Sequence, residues 1–271
     1  MSTITRSTPT AAPRSVWRKI NIAGLLFILG LAIVWQIVVG TGIVRVVFFP
    51  APTEIVSAWV ELLLSGQMAA DVGHTLSSAG IGWILGSSIG LVVGIWLGIS
   101  TTSWKYGMAT VDFLRSIPAI CFISVAALLL GFSLEMELVV TTYASMWPVM
   151  INTIEGIRRV EGLHLETART FQLSRIRTVF TILLPGAGGS IIVGLRLALG
   201  LALTLAVASE MVGNPAGVGF QLVMQQQALQ PASMFAYIIT IGVLGMILNR
   251  LLITAIRLLH PGLVLSLREE S

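Results

Sequence analysis

The charged residues of this chain gather between Glu155 and Pro185, where five arginines and three glutamates stand between two long apolar runs. The chemistry they offer is docking. Glu166 can accept a charged hydrogen bond, Thr167 and Ala168 are small enough for close contact, and Arg169, Arg175 and Arg177 can engage carboxylates or lipid phosphates. Leu163, Leu165, Ala168, Phe171, Leu173, Ile176 and Val179 recur at spacings of two to four. That is the apolar stripe of short helices lying along a membrane face.

Catalytic patterns are not found. His74, His164 and His260 fall in different connections or helix ends, there is no HExxH or GxSxG, and no carboxylate cluster is expected inside a span. Neither a catalytic residue nor a metal-ligand set is therefore expected. A phosphate-binding loop ends in Lys followed by Ser or Thr, whereas Lys19 and Lys105 precede Ile20 and Tyr106. Any energy must come from a partner or a gradient. Cys121 is the sole cysteine, which excludes a disulfide framework.

Two charges stand out near apolar segments. Arg196 lies mid-span, where an isolated charge costs at least about 2.5 kcal/mol, so it is expected to face the bundle interior or a water-filled cavity. It would attract an anion, or pair with a backbone carbonyl or with Asp112. Glu210 precedes a Gly-Asn-Pro-Ala-Gly turn and reads as an extracellular gate or a helix-end contact.

The elements that must hold these residues are membrane spans. Of 271 residues 55% are hydrophobic and 10% charged, against roughly 25% charged in soluble domains. Six spans account for the chain: about 20–40, 78–100, 108–131, 134–154, 186–209 and 233–256. The tail before the first span, residues 1–19, carries Arg6, Arg14, Arg18 and Lys19. The apolar run after it has the length of a span and no clean cleavage site, so it reads as a retained helix. Lysines and arginines concentrate at both termini, in the second connection and in the fourth, which places both termini and the segment 155–185 in the cytoplasm. The net charge of +4 thus reflects topology rather than nucleic-acid binding. Residues 20–260 form the membrane domain and 261–271 a cytoplasmic tail.

Within the second span, Gly82, Gly86, Gly90, Gly94 and Gly98 recur every four residues. A stripe without side chains lets a neighbouring helix approach until backbones touch. Tight packing is the plain reading; a sliding surface or pore wall is the functional one. Pro118 and Pro148 fall inside spans and can kink them, Pro185 opens the fifth span, and Thr53 to Leu64 can form a short amphipathic helix after Pro50 and Pro52.

The run ETARTFQ followed by ILLP resembles the cytoplasmic EAA loop of bacterial ABC importer permeases: Glu-Ala-Ala, three residues, Gly, nine residues, Ile-x-Leu-Pro. Glu166, Thr167 and Ala168 match the opening with one change, and Ile182, Leu184 and Pro185 keep the register. FFPAPTEI, the glycine ladder, FLRSIPA, MINTIEGIRRV, GLRLALG and ASEMVGNPAGVGF extend the similarity to the nitrate, sulfonate and taurine branch. The resemblance implies an all-α polytopic permease of the bacterial inner membrane, without its own ATPase site or cofactor. Its implied partners are a second permease subunit forming a homodimer, two cytosolic ATPases that use ATP and Mg, an extracytoplasmic solute-binding protein and membrane lipid. The segment 155–185 would be the coupling loop seated in a cleft of the ATPase, and the solute a small anion.

Gln172 departs from the pattern by standing where the family has Gly. If the bend requires positive φ, a non-Gly residue there costs about 1 kcal/mol, and Ser174 can compensate by capping the next helix. Two rivals explain less. An ion-coupled secondary transporter would need intramembrane acids and an inverted repeat, and a membrane assembly protein would explain the glycines but not the EAA-like register.

Overall fold

The computed structural model describes residues 22–41, 48–160 and 172–259, and every regular element among them is helical. The chain divides into two units at Val46/Val47. The first holds α1 (Ile22–Gly40), a 19-residue apolar helix coinciding with the expected first span. The second holds all the other elements.

In that second unit, α2 (Pro52–Leu64) begins as the sequence suggests. Pro52 occupies the first turn, where its missing N–H costs nothing, and Glu54 Oε2 accepts from the Ala51 N–H at 3.0 Å. The next helix, α3 (Gln67–Ile99), starts eleven residues before the expected second span. The third expected span, 108–131, is broken. It comprises α4 (Thr101–Ser116) and α5 (Cys121–Leu130), bent 84° from each other. The break falls at Pro118, whose ring pushes Ile117 out of the helical region to ψ 119°.

Helix α6 (Leu134–Arg159) is the centre of the bundle, packed between α3 and the long helix that follows it in sequence. Acidic Glu135 and Glu137 in its first turn and basic Arg158 and Arg159 in its last complement the helix dipole. Its hydropathy is low because its faces meet protein rather than lipid. Buried Thr141, Ser145 and Thr153 donate to their own i−4 carbonyls at 2.6–2.7 Å, so these three hydroxyls are satisfied within the helix. Pro148 sits inside this helix, and Asn152 Nδ2 donates to the Pro148 carbonyl at 2.8 Å.

The fifth span is longer than expected and does not begin at Pro185. A short α7 (Arg175–Thr178) passes through a π turn, Val179–Leu183, into α8 (Leu184–Val212), so the helical path from Ile176 to Val212 covers 37 residues. In the π turn the Leu184 N–H reaches back to Val179 O, and the widened turn accommodates a proline that can neither donate nor sit close to the preceding turn. Two helices complete the unit, α9 (Val218–Gln227) and α10 (Pro231–Leu259).

By length and hydropathy three of the described helices, α3, α7–α8 and α10, can cross a membrane, or four if the bent α4–α5 pair is one span. The expected count of six is not reached by this measure. The bend divides the α4–α5 pair, the polar interior of α6 lowers its hydropathy, and the stretch Leu26–Gly40 of α1 is shorter than a full span.

All five ladder glycines are buried against α6. A Cβ on Gly94 would lie 2.8 Å from Thr153 Cβ and 2.9 Å from Met150 O, and one on Gly98 3.1 Å from Ile157 Cβ. The other side of α6 repeats the device, with Gly156 against Ala187 and Ser190 and Gly194 against the Pro148 carbonyl. The ladder is therefore an interface within one chain, as the packing reading requires.

Candidate functional site

Glu137 and Arg158 lie at opposite ends of α6, 21 residues or about 32 Å apart, so the helix carries one polar site at each end. At the arginine end, Arg159 pairs with Glu155 at 2.8 Å, and the Arg158 guanidinium sits 4.0 Å above the Trp104 ring centroid. These groups and Met108 line a cavity of about 440 Å³. Glu166, Thr167 and Ala168 lie outside the described residues, as do the two terminal tails. Their downstream neighbours are described. Gln172 adopts φ 51°, the left-handed conformation that a family glycine would take without strain. Two residues later Ser174 Oγ accepts from the Arg177 N–H at 3.3 Å, the cap that the sequence suggests.

Of the motif's second half, Ile182 and Leu184 are half-buried and Pro185 is exposed. The anchor is Leu183, the variable position between them, buried with Ile157 and Ala187. Leu183 thus locks the π turn to α6. Sequence reasoning passed over it because the motif leaves that position open.

The opposite end holds a site that the sequence reading missed. Glu210, at the end of α8, is fully buried. It accepts from Thr75 Oγ1 at 2.7 Å and from the Gly219 N–H at 2.8 Å, while Thr75 Oγ1 accepts from the Val218 N–H at 3.0 Å. Through these bonds the carboxylate ties α8 to α3 and to the start of α9. Gly217, at φ 94°, closes over that carboxylate, and a Cβ there would collide with it.

Beside this pair, His74 Nε2 lies 3.2 Å from Glu137 Oε1, and the Asn214 amide also contacts that oxygen. Tyr237 on α10 donates to Asp71 at 2.9 Å. His74 is thus a residue near the start of α3, and the carboxylates of Asp71, Glu137 and Glu210 come together where the ends of α3, α6 and α8 meet. The signal was present in the sequence. Asp71, Thr75 and Ser78 fall at helical spacing and prolong the ladder stripe, which shows that α3 begins well before residue 78.

Arg196 does not face the interior of this chain. It is exposed on α8, and its Nε donates to Asn249 Oδ1 on α10 at 3.2 Å. Asp112 pairs instead with Arg115 at 2.8 Å. Arg115 borders a cavity of about 350 Å³ at the α4–α5 bend, shared with Pro118, Trp147, Asn152 and Leu201, so the two in-span prolines meet at one opening.

A family model described as binding-protein-dependent transport system inner membrane component matches residues 86–264. The chain belongs to this family. It is the membrane permease component of an ABC transport system. A permease protein of Bacillus subtilis (strain 168), named for aliphatic sulfonates transport, is 31% identical over 229 residues, covering 84% of this chain and 82% of that protein. The bicarbonate transport system permease protein of Synechocystis is 28% identical over 264 residues, covering 91% and 92%. The nitrate import permease protein of Synechococcus elongatus is 26% identical over 277 residues, covering 96% and 99%. A chain of the MetNI methionine ABC transporter, solved in inward-facing conformations, superposes with a TM-score of 0.55 at 19% identity over 67% of this permease and 94% of that chain, a likeness of fold. Membership of the family places the permease in the bacterial inner membrane, working with a binding protein and an ATPase.

Proposed function

We propose that the permease imports a small anion of the sulfonate, taurine, nitrate or bicarbonate kind by alternating access. Two separate cytosolic ATPases that use ATP and Mg drive it, and an extracytoplasmic solute-binding protein supplies the solute. A second, identical permease subunit completes the path, both termini are cytoplasmic, and lipid surrounds the pair. In this reading Glu166, Thr167, Ala168 and Gln172 form the docking surface for the ATPase. The exposed face of α8 that carries Arg196 borders the translocation path, and Glu210 holds the far end of that helix.

The observation that carries the coupling is the unbroken helical path from Ile176 through the Leu183 anchor to Val212. A displacement imposed beside Gln172 moves the helix that bears both Arg196 and Glu210. The anion class is supported by the names of the relatives, which concern sulfonates, bicarbonate and nitrate.

Glu166→Lys tests the docking. It reverses a charge without touching a span, so ATPase co-purification and uptake are both expected to fall to background while the permease still inserts in the membrane. Wild-type levels of both would remove Glu166 from the interface. Uptake of sulfonates, nitrate and bicarbonate by the reconstituted complex tests the solute class.

A further inference from the structure

His74 on α3, Glu137 on α6 and Glu210 on α8 offer ligand atoms that all lie within 4.8 Å of one another. Two carboxylates share this site, and no arginine or lysine among the described residues forms an ion pair with either. A second observation singles out the same place. Glu137 is fully buried, its Oε1 is contacted by both His74 and Asn214, and its Oε2 has no hydrogen-bond partner. Buried carboxylates normally have both oxygens satisfied and their charge balanced.

We infer that His74, Glu137 and Glu210 bind a divalent transition-metal ion, with Zn²⁺ the best fit to the donors. One imidazole nitrogen with carboxylate oxygens suits zinc, whereas calcium and magnesium take six or more oxygen ligands. A 2+ ion offsets the charge of the two ligand carboxylates, while nearby Asp71 is held separately by the Tyr237 hydroxyl. One pair already has the spacing required, and with all three ligand atoms within 4.8 Å Glu210 closes the remaining gap on the ion. Tetrahedral ligands about 2.0–2.1 Å from zinc stand about 3.3 Å apart, and the His74–Glu137 pair is at 3.2 Å.

Thr75 and the Gly219 N–H already orient the Glu210 carboxylate, as outer partners of a metal ligand do. Entry is through His74, whose side chain is 23% exposed. A bound ion ties α3, α6 and α8 together at the end of the bundle remote from the arginines. This inference rests on the fold and not on the identity of the transported solute.

The test uses the full-length permease assembled with its ATPase and purified through a tag without histidines. After treatment with EDTA the protein is dialysed against zinc chloride and then against metal-free buffer, and retained zinc is counted by mass spectrometry. About one zinc per permease chain is expected, with a rise in Tm over the metal-free protein. His74→Ala and Glu137→Gln should each hold only trace zinc and lose that rise. His74→Ala, at the partly exposed position, keeps the test decisive if Glu137→Gln fails to fold. Trace zinc in the wild type, or zinc and a Tm rise that persist in a folded His74→Ala variant, overturns the site.

Discussion

Along one face of α3, positions 82 to 98 are glycines and positions 71 to 78 are polar, and both stretches are buried. The glycine stretch meets α6 by removing side chains until backbones and Cβ atoms touch. The polar stretch meets α6, α8, α9 and α10 by filling the same stripe with hydroxyl, imidazole and carboxylate groups, with His74, Thr75 and Asp71 bonded across to them. Between membrane helices no hydrophobic driving force is available, so both stretches rely on contact and hydrogen bonding. They differ in what they tolerate. The first requires smallness and is indifferent to direction, whereas the second requires direction and fails when a donor is lost.

The largest way to break this contrast is bulk in the glycine stretch. A Cβ at Gly90 would already lie 3.1 Å from both Val149 Cβ and Met150 N. Gly90→Leu is therefore expected to destabilise by about 3 kcal/mol or more and to abolish the folded fraction in detergent. Gly80→Leu is the control, because nothing lies within 4 Å of a Cβ there. Equal yields of the two variants would refute the contact. The damage arises within one chain, before any association of two copies.

Loss of a donor in the polar stretch should do less. Thr75→Val keeps the shape but strands Glu210 Oε1 and the Val218 N–H, an expected loss of about 1–3 kcal/mol. Thr75→Ser should retain most of the stability. Thermal melting of the two variants side by side decides, and a Val variant as stable as the Ser one would mean that water replaces the hydroxyl.

A comparable contrast separates adjacent residues of the π turn. Leu183→Ala empties a buried position beside Ile157 and Ala187 and should cost about 2 kcal/mol, whereas half-buried Ile182 should tolerate the same change at about half that cost. Similar melting temperatures would return the anchoring role to the motif residue.

These contrasts also explain what was legible in the sequence. Glycines at a fixed spacing announce close packing whatever the partner, so the ladder could be read without knowing that α6 meets it. The bend at Pro118 and the cap at Ser174 are local and were equally readable. The pairing of His74 with Glu137 spans 63 residues, and that of Thr75 with Glu210 spans 135. Only the bundle brings these residues together. The polar interior of α6 lowers its hydropathy for a reason, burial between α3 and α8, that is invisible along the chain. For Arg196 the sequence offers the bundle interior or a water-filled cavity, and within one chain its face of α8 is open.

The smallest effect on stability, and the sharpest on transport, is expected at Arg196. Its side chain donates to Asn249 and the pair is exposed, so Arg196→Gln should change stability by no more than about 1 kcal/mol. Gln retains hydrogen-bonding capacity toward Asn249 and removes only the charge. If Arg196 borders an anion path, uptake by the reconstituted complex should fall several-fold while basal ATPase activity and assembly hold. Arg196→Lys, which keeps the charge, should recover most of the uptake. Asn249→Ala removes the partner and not the charge, so it should leave uptake closer to wild type than Arg196→Gln does. A fall in transport that only tracks lost complex, or one that Lys does not relieve, would make Arg196 a packing residue between α8 and α10.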